Sequence, residues 1–286
     1  MPPHAGETSR PAPRDPRSLS PYLRFALVIA ALALLRFAAG FIFREPWATD
    51  TWPFPYAGGI SHQFIASIMA AGAASLLYCA LAPDPRALFG AGIDAAVINA
   101  PIAYLTLTSG QTSSRLFGLG AAATAIAGLG VALWSRRYAW RDSRPTPTPV
   151  RIAFGVFVLA LWVFGGAMAA GGGWSTRILP WEVPPEVARI YGWAFLGAST
   201  YFLYSLLVPV WSNAAGQLLA FLAYDLVLIP PFIAHFRHVT PDRLPNHIVY
   251  CAAVGTSAVL AVVYCFILPR TRVIAARPTA PAHPHP

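Results

Sequence analysis

The chain has 286 residues, of which 56% are hydrophobic and only 11% charged, and its mean hydropathy is +0.54. A soluble domain carries about 25% charged residues, so this chain lacks the polar surface to enclose a water-facing globule. The net charge of +9 rests wholly on Arg, since Lys is absent. Its placement beside long apolar runs excludes a nucleic-acid surface and points to a membrane one.

Residues 1–22, rich in Pro and Arg, form an expected disordered tail. Eight apolar runs follow, near 23–43, 61–82, 87–108, 115–134, 150–172, 188–210, 214–235 and 248–268, each long enough to cross the hydrocarbon as a helix. The first is too long for a signal-peptide core and reads as an uncleaved span. A polar linker at 135–149, "SRRYAWRDSRPTPTP", divides the runs four and four, and residues 269–286 form a second expected disordered tail. Cys79, Cys251 and Cys265 all fall inside spans, which implies no disulfide framework.

An even number of spans puts both termini on one side. Arg10, Arg14, Arg17, Arg24, Arg86, Arg136, Arg137, Arg141, Arg144, Arg151, Arg270, Arg272 and Arg277 lie on that side, against Arg44, Arg115, Arg177, Arg189, Arg237 and Arg243 on the other. Basic residues are retained in the cytoplasm, so the expected topology is a bacterial inner-membrane protein with both termini cytoplasmic. Lipid head groups are the expected partner of this charge, with a partner membrane protein as a further candidate and nucleic acid excluded.

The two halves repeat. "LALLRF" (32–37) aligns with "LALWVF" (159–164) at an offset of 127, which also pairs Pro53 with Pro180 and Ala71 with Ala198. After a short turn the offset becomes 131, pairing Asp94 with Asp225, Ile98 with Ile229 and Ile102 with Ile233. The sequence therefore predicts an all-α integral membrane protein of about eight helices. Its repeats would be parallel four-helix units, at 23–134 and 150–268, related by an axis along the membrane normal.

A charge at the bilayer centre costs about 2.5–3.5 kcal/mol on insertion scales, so Asp94 and Asp225 each need a reason. Asp225 is placed near the midplane and Asp94 nearer the cytoplasm. One reading is a protonatable or cation-binding pair at the seam between halves; the other is a neutral Asp tying two helices together. Arg36 is the one cation inside a span, and it sits close enough to the outer end to snorkel to the head groups.

The outer loops, "REPWATDTWPFPYAGG" (44–59) and "GWSTRILPWEVPPEVARIYGWAF" (173–195), bring Trp47, Trp52, Trp174 and Trp181 to the interface. Pro184, Pro185 and Glu186 write a helix start. His62, His235, His238 and His247 collect on the same side, with Asp242, Glu186 and Arg243 in reach. His235 and His238 have a helix-face spacing, but nothing completes a metal motif, so no metal or cofactor is expected. Gly120, Thr124 and Gly128, and Gly165, Ala169 and Gly173, are four-spaced stripes that predict close helix approach.

The segment "PWEVPPEVAR", continuing to Gly192, Trp193 and Phe195, resembles a signature of an uncharacterised family of bacterial multi-pass membrane proteins. Pro180, Trp181, Pro185, Ala188, Arg189, Gly192 and Phe195 match; Trp193 stands one place early and Glu182 departs. The resemblance implies a multi-pass layout and carries no chemistry.

No Walker loop, Rossmann glycine pattern or nucleophile elbow is written. Three functions fit the sequence. The first is a transporter of a small solute or ion using Asp94 and Asp225. The second is a non-catalytic component binding lipid, an amphipathic ligand or a protein through its Trp/Pro loops. The third is a membrane-embedded enzyme using Glu186, Arg189 or His62 on a lipid-linked substrate.

Overall fold

The computed structural model describes residues 19–54, 60–82, 84–109, 112–140, 142–172 and 174–273. The tails expected to be disordered lie largely outside these residues. Among the described residues nine α-helices follow in chain order: α1 (Pro21–Phe43), α2 (Pro46–Thr49), α3 (Ile60–Leu81), α4 (Leu88–Thr108), α5 (Thr112–Ser135), α6 (Thr148–Ala170), α7 (Pro185–Leu207), α8 (Trp211–His235) and α9 (Leu244–Val262). A π-turn over Val263–Ile267 extends α9.

Local signals set the helix starts. Ser20 accepts the Leu23 N–H at 3.2 Å, and Pro21 occupies the first helical position of α1. Pro185 does the same for α7, with Glu186 in the first turn against the positive helix end. α1 stops at Arg44, whose left-handed backbone (φ 57°) lets its N–H cap the Phe41 carbonyl at 3.3 Å. The four-residue α2 then folds back onto Gly40, where a Cβ would meet Ala48 Cβ at 2.5 Å.

Among the described residues seven helices are long and apolar enough to cross a membrane, as in a multi-pass membrane protein: α1, α3, α4, α5, α6, α8 and α9, with α4 and α9 counted together with their flanking turns. The expected eighth, α7, has the length but not the apolarity. Its sequence trades aliphatic residues for Tyr191, Tyr201, Tyr204, Ser199, Ser205, Gly192 and Gly197. The reason is position: half of its side chains are buried against protein, where hydroxyls and glycines serve close packing and lipid contact is not required.

α3, α7 and α8 form the interior of the bundle. α1 lies against α3, α6 against α7, α5 against α4 and α9 against α8. Across the middle, α3 meets α8 and α4 meets α7. Gly165 and Ala169 of the second small-residue stripe make the predicted approach, a Cβ on Gly192 falling 2.4 Å from the Ala169 nitrogen and 2.7 Å from the Gly165 carbonyl, while Gly173 lies outside the described residues. Only Gly128 of the first stripe does so, its added Cβ falling 2.7 Å from the Gly92 carbonyl, while Gly120 faces open space.

The chain gathers its loops at two ends. The Arg86 guanidinium donates to the Tyr138 carbonyl, Trp211 N–H to the Arg144 carbonyl, and Arg144 to the Arg270 carbonyl, so the linker, the α7–α8 turn and the C-terminal segment share one end with Ser20. The described residues of the linker are pinned: Arg144 forms an ion pair with Asp142 at 2.6 Å, and Pro145 bridges Val210. Burial pushes the Asp142 carboxyl up, but the hydrogen bonds and charge of Arg144 outweigh it and hold the group below the usual carboxylate range. The first residues of the expected tail after 268 also fold back, with Val273 N–H on the Cys265 carbonyl at 3.0 Å.

At the far end one guanidinium fastens the 171–184 loop. Arg243 donates to the carbonyls of Thr176, Leu179 and Trp181 at 3.1, 2.9 and 2.9 Å, and Asn246 to those of Arg177 and Ile178. Charge-assisted bonds to three carbonyls satisfy a loop that no helix caps.

Candidate intramembrane acid sites

The two acids written in the same frame have different surroundings. Asp225, fully buried on α8, accepts a hydrogen bond from the Ser257 hydroxyl on α9. Ser257 also reaches the Val254 carbonyl at 3.2 Å. One residue earlier, the Tyr224 and Tyr250 hydroxyls share a hydrogen bond. Asp225 therefore joins two helices of one half. Its Oδ1 has no hydrogen-bond partner.

Asp94 faces the other half. A Cβ added to Gly197 on α7 would lie 2.8 Å from Asp94 Oδ1, 3.0 Å from its backbone carbonyl and 2.3 Å from Ile98 Cγ1. Only a glycine admits the carboxylate here, so the α4–α7 crossing is built around it. One turn along, Gly90 meets the Tyr201 ring, its added Cβ falling 2.3 Å from Tyr201 Cε2. The pairs Gly90–Tyr201 and Asp94–Gly197 give the crossing an antiparallel register. Asp94 Oδ1 is buried without a hydrogen-bond partner. Among the described residues, the contacts of the two acids have no residue in common.

Arg36 is exposed, and its guanidinium stacks over Trp47 at 4.7 Å from the ring centroid. This cation–π contact turns it to the far end, the direction of snorkelling, and away from Asp94.

The far-end candidates are dispersed. Trp181, expected at the interface, is 95% buried, packed in tilted ring contacts against Phe64 (5.3 Å) and Phe232 (6.1 Å), while Trp47 and Trp174 are exposed. Glu186 is exposed on the first turn of α7, and Arg189 lies over Gly171, its Nη2 2.8 Å from an added Cβ. His62 stands in the first turn of α3, within electrostatic reach of Arg44. His235 ends α8, its Nε2 3.3 Å from the Pro180 carbonyl and its ring 5.1 Å from that of His247. His238 lies beyond the helix end and is exposed, so the spacing of three residues does not put the two on one helical face.

The sequence reading missed a set of buried polar groups at the termini end. Asp84, fully buried, accepts from Ser212 Oγ at 3.1 Å and from the Asp142 N–H at 3.3 Å. Tyr78 donates to the Ser212 carbonyl at 2.7 Å. Ser75, Ser199, Tyr201, Ser205, Asn213 and Gln217 are buried beside them on α3, α7 and α8. The four-residue steps Gly197, Tyr201, Ser205 and Ser212, Gly216 are the signal that was present. Comparison of the chain with family models, with curated proteins and with solved structures finds no match, so the resemblance at 180–195 assigns no family.

Proposed function

We propose that the protein is a small-solute or ion transporter built as a parallel four-plus-four repeat, with Asp94 as its working group and Asp225 as a helix tie. The observation that carries this is the buried, unpartnered Oδ1 of Asp94 at the α4–α7 crossing, held against a glycine of the other half. A carboxylate oxygen left without a partner in an apolar interior is destabilising unless it has something to bind. The duplication is supported by the paired offsets in sequence and by the exchanged contacts, α3 on α8 and α4 on α7, which a two-fold axis between the halves requires. The excess of Arg at the termini end supports the cytoplasm as that side and the bacterial inner membrane as the location.

A second reading, a non-catalytic binding component, is supported by the exposed Trp47 on α2 and Trp174 in the loop that Arg243 fastens. It needs neither acid.

The deciding experiment is labelling with a hydrophobic carbodiimide, which attacks protonated carboxyls in apolar surroundings, read by mass spectrometry in native membranes across pH. The transporter reading expects pH-dependent label on Asp94 and little on Asp225. Label on neither acid at any pH, with Asp94→Asn folding and functioning as the parent does, would sink it.

A further inference from the structure

We infer that the protein holds one anionic phospholipid by its phosphate at the termini end, in a cavity between the start of α6, the start of α8 and the turn that follows α9. Arg270 takes the phosphate, and Arg144 and the two helix starts frame it. The site does not depend on the reading of Asp94.

The cavity measures about 430 Å³ and is lined by Arg144, Pro145, Pro147, Trp211, Arg270 and Thr271. That size lies within the range of about 300–1,000 Å³ in which small ligands are held. Three helices long and apolar enough to cross the membrane begin or end here: α6 at Thr148, α8 at Trp211, and α9 with its π-turn at Ile267. The cavity therefore lies where the hydrocarbon gives way to head groups.

The turn that carries Arg270 is fixed from two sides. Thr271 donates its hydroxyl to the Tyr264 carbonyl at 2.6 Å and its N–H to the Leu268 carbonyl at 3.1 Å. Arg144 Nη1 donates to the Arg270 carbonyl at 2.8 Å. The backbone of Arg270 is thus committed. Its guanidinium is exposed and, among the described residues, makes no hydrogen bond or ion pair. Arg144 spends Nε and Nη2 on Asp142 and one Nη1 hydrogen on Arg270, three of the five N–H groups a guanidinium carries, and so keeps two.

The charges around the cavity favour an anion. Arg151, one helical turn beyond Pro147 on the same side of α6, is exposed. Pro147 caps α6 and Trp211 opens α8, so two positive helix ends meet at the cavity. The negative end of α9 is already answered: Arg272 donates to the Ile267 carbonyl at 3.3 Å, and the Thr271 hydroxyl to those of Tyr264 and Leu268. The acids on this side are Asp142, paired with Arg144, and Asp84, buried and bonded to Ser212.

A phosphodiester suits this lining, because it offers acceptor oxygens and no donor, while the unspent guanidinium groups only donate. The other half of the lining, Pro145, Pro147 and Trp211, is apolar and selects a ligand with an apolar part. Ile152 in the first turns of α6, and Phe266 and Ile267 at the end of α9, are exposed and offer the acyl chains a surface.

The test is native mass spectrometry of the full chain in detergent, offered equal amounts of phosphatidylglycerol and phosphatidylcholine with the same acyl chains. The parent should retain one phosphatidylglycerol in preference to phosphatidylcholine. Arg270→Gln should weaken that retention about tenfold, as loss of a charge-assisted contact does, and Arg270→Lys should weaken it less. Arg24→Gln, an exposed position on α1 at the same end, should leave it unchanged. Equal retention of the two lipids by the parent, or equal losses in Arg24→Gln and Arg270→Gln, would overturn the site. Displacement of the lipid by millimolar inorganic phosphate would overturn the lipid as occupant and make the cavity a site for soluble phosphate. The parent's preference needs no variant to fold, and an unfolding temperature shared by Arg270→Gln and the parent separates lost binding from lost folding.

Discussion

Between α3, α7 and α8 the protein has two interiors of opposite chemistry. The far half is aromatic, with Phe64, Trp181, Tyr191, Phe195 and Phe232 in mutual ring contact. The termini half is small and polar, with Ser75, Tyr201, Ser205, Asn213 and Gln217 buried on the same three helices. Ring stacking gains dispersion and quadrupole energy and excludes water. Buried polar groups do the reverse: each is costly until it finds a partner. The same bundle therefore packs rings at one end and small polar side chains at the other.

The comparison breaks most sharply at Phe64. Its ring is fully buried and touches four other rings, so Phe64→Ala should cost about 3–5 kcal/mol and leave a cavity between α3 and α7. Thermal unfolding in detergent would register the loss. A Tm unchanged by this substitution would mean that the ring cluster carries no stability.

The ring cluster and the buried polar set differed in how far the sequence announced them. Long apolar runs made the helices legible, and Pro21, Pro185 and Pro245 at helix starts sharpened their edges. Direction within a helix was not legible. Trp181 reads as an interfacial indole because it sits in a loop beside Pro180, yet the loop is drawn over the bundle by Arg243 and the indole turns inward. A single Ser or Tyr does not interrupt an apolar run, so Ser75, Tyr201 and Gln217 passed as ordinary span residues. Only their common side, set by which helix faces which, reveals the set. Asp94 and Asp225 align in sequence, but at the same offset of 131 Ile126 stands against Ser257 and offers no hydroxyl, so the two carboxyls have different surroundings.

That difference predicts the next effect. Ser257→Ala removes the donor to a buried carboxylate and should cost about 1–2 kcal/mol, since interhelical polar pairs in membranes contribute somewhat less than the full desolvation penalty. Asp225→Ala should cost less, because Ser257 keeps its bond to the Val254 carbonyl. A double-mutant cycle on detergent unfolding checks the pair: equal single losses with no coupling would remove the helix tie.

A smaller effect lies in the linker. Arg144 is 45% exposed and Asp142 23%, so their ion pair is screened and Asp142→Asn should cost less than about 1 kcal/mol, vanishing in about 1 M salt. The Asp142 carboxyl titrates below its unfolded value, so its contribution is intact above about pH 4 and is lost as pH falls through the lower, folded value. Unfolding between pH 8 and 5 should not register this pair, and a parent-minus-variant difference that grew as pH rose would contradict the sign.

The smallest stability effect should fall on the residue with the largest functional one. Asp94 Oδ1 donates and accepts nothing, so Asp94→Asn, with its amide oxygen in that place, breaks no bond and should leave stability within about 0.5 kcal/mol. Gly197 still admits the side chain, because the amide has the same shape. A group retained for packing alone would not be an unpartnered acid set against a glycine, when Asn or Leu would serve the crossing at lower cost in the bilayer. Unfolding of Asp94→Asn at the parent temperature, together with loss of carbodiimide label, separates function from structure at this site. A strong loss of stability would instead make Asp94 a second tie, and the two halves would then differ only in what their acids hold.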